Sequence, residues 1–197
     1  MGIVMLNPFK RVALLLIGFC LLFSAKAPAC TNFPISVGVV DSVEGDLLGH
    51  IVSTMITERS GVVVGIKYFK TPEELDQAVK KKEVEIIIEN TANALRLLGK
   101  SPTQDSDENF MTTKIIYQRD KGLIWLKPFG FRSGDGFTSP VVSRSILDKF
   151  PALPRVLEKL SGAIVDETFS QLVNLVKDNN KKPRRVARDF LSDNRLI

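Results

Sequence analysis

Lys80 to Leu98 reads KKKEVEIIIENTANALRLL, and this stretch decides the fold class. Three lysines close one helix, Val84 to Ile88 is a short, mostly apolar run of strand type, and Ala92 to Leu98 begins another helix. An apolar run between helices is the pattern of a strand buried on both faces of a parallel α/β sheet. In such sheets ligands sit beyond the carboxyl ends of the strands, where the chain turns into the next helix. Glu89, Asn90 and Thr91 hold that place. Asn90 or Thr91 there is either a ligand contact or simply the N-cap of the next helix.

Outward from this stretch the pattern repeats. Ile35 to Val40 is apolar and β-branched, Asp41 to Gly45 is a polar turn, and Asp46 to Arg59 carries Leu47, Leu48, Ile51, Val52, Met55 and Ile56 at helical spacing. Ser60-Gly61 ends that helix. Val62 to Phe69 reads as a second strand, and Thr71-Pro72-Glu73-Glu74 as a capped helix start with proline at its first position. The first half is therefore β-α-β-α-β-α, which implies a mainly parallel sheet in three layers. Gly99 to Asn109 reads as loop, Met111 to Tyr117 as helix or strand, and Leu123 to Leu126 as a short strand. Gly130 to Ser139, GFRSGDGFTS, reads as a turn or mobile loop, and Pro140-Val141-Val142 as a strand at a sheet edge. Short helices follow: one to Phe150, then Arg155 to Ser161, Asp166 to Asn179 and Pro183 to Ser192.

With 197 residues, 44% hydrophobic and 25% charged, the chain suits one domain and a leader. Lys10 and Arg11 precede the apolar run Val12 to Phe23, and Ala27-Pro28-Ala29 supplies small residues before Cys30. Residues 1–29 thus read as a secretory signal and residues 30–197 as a single α/β lobe. Cys30 is a lipidation candidate, and therefore a possible membrane tether. The other cysteine, Cys20, lies in the leader, so the mature part has no internal disulfide. Lys10, Arg11 and Lys26 also fall in the leader, with no acid among them, so the formal charge of +5 becomes +2 without it. The cluster Lys181, Lys182, Arg184, Arg185 and Arg188 is interspersed with acids and lacks aromatics. It reads as a solvated helix face rather than a nucleic-acid surface.

Chemistry-bearing motifs are sparse. There is no CxxC, HExxH or histidine pair for a metal, no GxGxxG or Walker sequence, and one histidine, His50, which reads as a surface residue. No catalytic residues, metal or cofactor are expected.

Four strings, in order, carry a resemblance. Val37 to Ile51, VGVVDSVEGDLLGHI, parallels IGSKNFTEQLILGEI and keeps Gly38, Glu44, Leu48, Gly49 and Ile51. Lys82 to Leu95, KEVEIIIENTANAL, parallels GEIDIYPEYTGTAL and keeps Glu83, Ile86, Glu89, Thr91, Ala94 and Leu95. Pro140-Val141-Val142 with Leu160-Ser161-Gly162, and Pro183 to Leu191, supply the other two. The chain resembles the periplasmic substrate-binding proteins of quaternary-amine ABC importers, the glycine betaine/choline/carnitine type. The resemblance implies one lobe of a type II periplasmic-binding-protein-like fold with C-terminal helices. It also implies non-enzymatic solute binding, a permease partner, and a periplasmic or cell-envelope location. Carried over residue by residue, it implies ligand contacts at Ser42, Glu44, Glu89, Asn90 and Thr91. Two departures stand out. The second lobe would lie between Gly122–Leu126 and Pro140, where only residues 127–139 remain. The family's tyrosine after the acid is Asn90, so no aromatic cage for a quaternary ammonium group is visible. The alternative is a one-lobe derivative that binds a protein or membrane surface and no longer captures a small molecule.

Overall fold

The alternation of apolar residues on the strands is satisfied on both sides of one sheet. The computed structural model describes residues 35–133 and 136–197, which fall within one compact unit. The expected leader and Cys30 lie outside the described residues. Strands β1 (Ile35–Val40), β2 (Val64–Phe69), β3 (Ile86–Asn90), β4 (Leu123–Trp125) and β6 (Gly136–Ser143) lie in the order β2-β1-β3-β6-β4, and the two-residue β5 (Arg132–Ser133) pairs with β6. The helices are α1 (Val43–Ser60), α2 (Pro72–Lys80), α3 (Thr91–Leu97), α4 (Ser106–Ile116), α5 (Arg144–Lys149), α6 (Leu153–Ala163), α7 (Asp166–Lys177) and α8 (Pro183–Asp193). A π-helical turn, Tyr117–Lys121, continues α4.

Side chains of one parity, Ile35, Val37, Val39, Ile86 and Val142, join the buried residues of α1, α6, α7 and α8. Side chains of the other parity, Ile87, Val141, Leu123 and Trp125, join Leu75 and Ala78 of α2, Ala94 of α3 and Tyr117. Three layers result, as the βαβ reading required. α1 begins at Val43, three residues before the expected start, because Ser42 accepts from the Gly45 N–H at 3.0 Å and caps it. It ends at Gly61, whose φ of 71° lets its N–H return to the Thr57 carbonyl.

The sheet is mixed rather than mainly parallel. β1 pairs parallel with β2 and with β3, while β6 pairs antiparallel with β3 and with β4. Parallel pairing needs a crossover of roughly a dozen residues or more, usually a helix. The link from β4 to β6 carries no crossover helix, so the chain turns back on itself. β6 is an interior strand, which corrects the edge placement of Pro140-Val141-Val142. The Pro140 carbonyl accepts from Leu126 N–H just past the end of β4, so its missing donor falls where that ladder stops. Six of the ten residues 130–139 are likewise strand, not loop, and Met111 to Tyr117 is helical, within α4 and the turn that continues it.

Candidate functional site

β1 and β3 run parallel and in register at Val37–Ile86, so the segments that follow them emerge at the same end of the sheet. The start of antiparallel β6 is there too, through Asn90 opposite Thr138. All five sequence candidates lie at this end, but they do not converge.

Ser42 caps α1 and is exposed. Glu44 turns toward α7, where Lys177 Nζ is 2.7 Å from its Oε1. The hydrogen bond from Lys177 holds the Glu44 carboxyl below its ordinary range, against a smaller opposing effect of burial. Glu89 has the parity of Ile87 and points to the opposite face, so the structure separates the two glutamates. Glu89 is only 5% exposed. Its Oε1 accepts from the Asn90 N–H at 2.9 Å and the Asn93 amide at 3.4 Å. Burial outweighs these bonds and pushes its carboxyl up to about 7.

Asn90 and Thr91 have structural duties. The Asn90 side-chain oxygen accepts from Ala92 N–H at 2.9 Å and Asn93 N–H at 3.4 Å, capping α3, and its amide reaches Thr138. Thr91 is fully buried, and its hydroxyl accepts from the Phe137 N–H at 2.8 Å. Gly136 closes this clamp: a Cβ there would lie 2.5 Å from Thr91 Oγ1 and 2.9 Å from Ala92 N. β6 thus covers the turn that the sequence presented as open.

The sequence reading missed the aromatic cluster on the side of the sheet that Glu89 shares. Phe110 stands edge-on to Trp125 and to Phe137, each at 5.9 Å between centroids, and Tyr117 is edge-on to Trp125 at 5.5 Å. Arg132 lies over the Phe137 ring at 4.9 Å. Lys121 lies over Tyr117 at 4.3 Å and pairs with Asp76, which Lys80 also reaches at 2.8 Å. Burial raises the Asp76 carboxyl, but hydrogen bonds from the two lysines prevail and hold it low. Burial, then the nearby Glu89 charge, pushes the Tyr117 phenol upward. Trp125, read as core, is 2% exposed. Its Nε1 and the Oγ of Ser139, directly across the ladder from Glu89, have no hydrogen-bond partner among the described residues. The period-two spacing of Phe137, Ser139 and Val141 was the available signal, and Pro140 interrupted it.

Among the described residues no group of histidine, cysteine or acids could hold a metal, and no helix is long and apolar enough to cross a membrane.

Residues 133–193, from the β5–β6 hairpin to the end of α8, match the family model for the substrate binding domain of ABC-type glycine betaine transport systems. The chain resembles that family. A curated relative, the ergothioneine transport permease/ergothioneine binding protein EgtU of Helicobacter pylori (strain G27), is 29% identical over 124 residues, 63% of this chain. The match spans 19% of that protein's length. Among solved structures, a glycine betaine/carnitine/choline ABC transporter protein superposes with a TM-score of 0.77 at 11% identity, over 82% of this chain and 99% of the other. Apo YehZ from Escherichia coli gives 0.75 at 15% identity, over 83% and 99%. At these identities the structures bear on fold alone, and both agree with the periplasmic-binding-protein-like architecture.

Proposed function

We propose that this chain is the non-enzymatic solute-binding component of an ABC importer of the glycine betaine type. In this reading residues 1–29 export it to the periplasm or cell envelope, Cys30 is a candidate lipid anchor, and a permease is its partner. Residues 30–197 act as a single lobe whose strand ends face the solute. The observation that carries the reading is the family match over residues 133–193, because that stretch supplies β6, the strand laid against Glu89, Asn90 and Thr91. A buried carboxyl near Tyr117, on the face of the sheet that also carries the Phe110, Trp125 and Phe137 cluster, favours a cationic solute: rings attract a cation through their faces, and Glu89 supplies the counter-charge.

One observation favours a second reading, a one-lobe module that docks on a protein or membrane surface. Glu44, Asn90 and Thr91 are engaged within the chain, and the rings pack against one another. A thermal-shift panel with glycine betaine, choline, carnitine and ergothioneine separates the two. A ligand at a hundred times its Kd stabilises the fold by about 2.7 kcal/mol. For a domain of this size that is a rise of roughly 5 to 10 °C in Tm. No shift with any of the four rejects capture of these solutes and favours docking.

A further inference from the structure

At the opposite end of the sheet, β3 begins and β6 finishes. There the Ser143 N–H donates to the Glu85 carbonyl at 2.8 Å, and the Arg144 N–H to the Gly122 carbonyl at 3.1 Å. These bonds gather the turn after α2, the end of the π-helical turn and the start of α5 around a groove of about 580 Å³. Lys80, Lys82, Lys121 and Arg144 line it, and Val84 and Leu123, both nearly buried, supply its apolar part.

The charges at this groove do not balance. Lys80 and Lys121 share one carboxylate, Asp76, with Lys80 Nζ 2.8 Å from its Oδ2. Asp120 is taken by Arg119, whose Nε and Nη2 lie 2.6 and 2.9 Å from its two oxygens. Glu85 is held by neutral donors: its Oε2 accepts from the Ser36 N–H at 2.9 Å and the Ser36 hydroxyl at 2.7 Å, on the β1 side. With the partners outside the groove included, five cations meet three acids. The excess falls on Lys82 and Arg144, whose side chains make no ion pair or hydrogen bond among the described residues. Lys82 also holds a conformation that lysine does not favour. The Lys82 N–H returns to the Val79 carbonyl and the Glu83 N–H to the Ala78 carbonyl, each at 2.9 Å, which closes α2 with Lys82 at a φ of 57°. Glycine fills that position without the crowding a Cβ brings. Lysine there sets a charge on the groove at a cost to the turn.

We propose that this groove binds a phosphomonoester, with the phosphate held by Arg144 and Lys82 and the ester's organic part over Val84 and Leu123. A phosphomonoester is close to doubly charged at neutral pH, which matches two unpaired cations, and a guanidinium fork donates to two of its oxygens at once. A carboxylate would leave one of the two cations unmatched. Ser145, exposed and with its hydroxyl 3.1 Å from that of Ser143, adds a hydroxyl donor. The same chemistry occurs in a free phosphate ester and in a phosphatidate headgroup. The groove lies at the other end of β3 from Glu89, Asn90 and Thr91, so it stands independently of how that site reads.

Titration calorimetry of the full-length chain with glycerol phosphate, at fixed ionic strength, should give saturable binding, and acetate and glycerol should give none. K82G removes the charge and relieves the backbone. It should therefore melt no lower than wild type while weakening binding by about tenfold or more. R144Q should weaken it at least as much. R185Q, whose side chain pairs with Asp189 at 3.7 Å on α8, should leave it unchanged. Co-sedimentation with phosphatidate vesicles, against phosphatidylcholine vesicles, separates the two sources. Phosphatidate-selective binding that K82G loses, with no calorimetric binding of the free ester, assigns the groove to a lipid headgroup; saturable binding of glycerol phosphate assigns it to a free ester. Binding of neither, or binding by K82G and R144Q equal to wild type, overturns the site. Acetate binding as tightly as glycerol phosphate overturns the match to a doubly charged group.

Discussion

The two faces of the sheet bury comparable strand residues but solve different problems. The face under α1, α6, α7 and α8 is the larger, and apolar: Ile35, Val37, Leu47, Ile51, Met55, Leu157 and Leu191 meet there, with Phe129, Phe131 and Phe190, at little or no exposure. The face under α2, α3 and α4 is smaller and holds charge: Glu89 shares it with Tyr117 and Trp125, and Lys121 and Asp76 act on its carboxyl. One glutamate belongs to each face, and their carboxyls shift in opposite directions. Glu44, at the rim of the larger face, is favoured as a charge by Lys177; Glu89, inside the smaller one, is penalised as one. A core that carries a destabilised acid at the end of a central strand sacrifices stability there, and such sites are often functional.

Three measurements test that contrast, from the largest expected effect down. Ile51→Ala removes a fully buried side chain from the larger face. It should cost about 2–5 kcal/mol in urea unfolding. A loss under about 1 kcal/mol would show that this face is not tightly packed.

Glu89→Gln tests the other face. An acid whose folded pKa lies above its unfolded value of 4.5 binds its proton more tightly in the folded state. Stability is then full below 4.5 and is lost as pH rises toward about 7. The whole window is worth on the order of 3 kcal/mol. In Glu89→Gln, stability against pH should flatten across this window, and the variant should be the more stable protein at pH 8. A wild-type curve already flat between pH 5 and pH 8 would place an undetected partner beside the carboxyl.

Glu44→Gln should have the smallest effect. Both partners of the Lys177 pair are nearly half exposed, at 44% and 47% of their side chains. Its removal should cost between about 0 and 1 kcal/mol, and less in high salt. The lowered Glu44 pKa gives the opposite sign to Glu89, with its small contribution present at neutral pH and lost on acidification.

Residues 35–98 were legible because each signal there is local. The strands are apolar runs, Thr71 and Pro72 mark a helix start, and Gly61 a helix end. The C-terminal helices were legible for the same reason. β6 was not, because glycine and polar residues at 130–139 signal a turn, whereas pairing with β3 and β4 on both sides makes it a strand. The surroundings of the candidate site were hidden for a related reason. Position along β3 correctly put Glu89, Asn90 and Thr91 at the strand end. Their burial depends on α4 and β6, which arrive from 15 to 54 residues later in the chain and leave no mark on the local pattern.

β6 is the last strand in the sequence and one of the inner strands of the sheet. While a nascent chain is still short of residue 136, the hydrogen-bonding edge of β3 has no neighbour, and β4 has no sheet to join. An unpaired edge of this kind associates readily with other chains. The late arrival of β6 therefore makes folding post-translational in character: the N-terminal half stays threadable until nearly three-quarters of the polypeptide has been made, and a protein truncated ahead of β6 should aggregate rather than persist as a smaller domain.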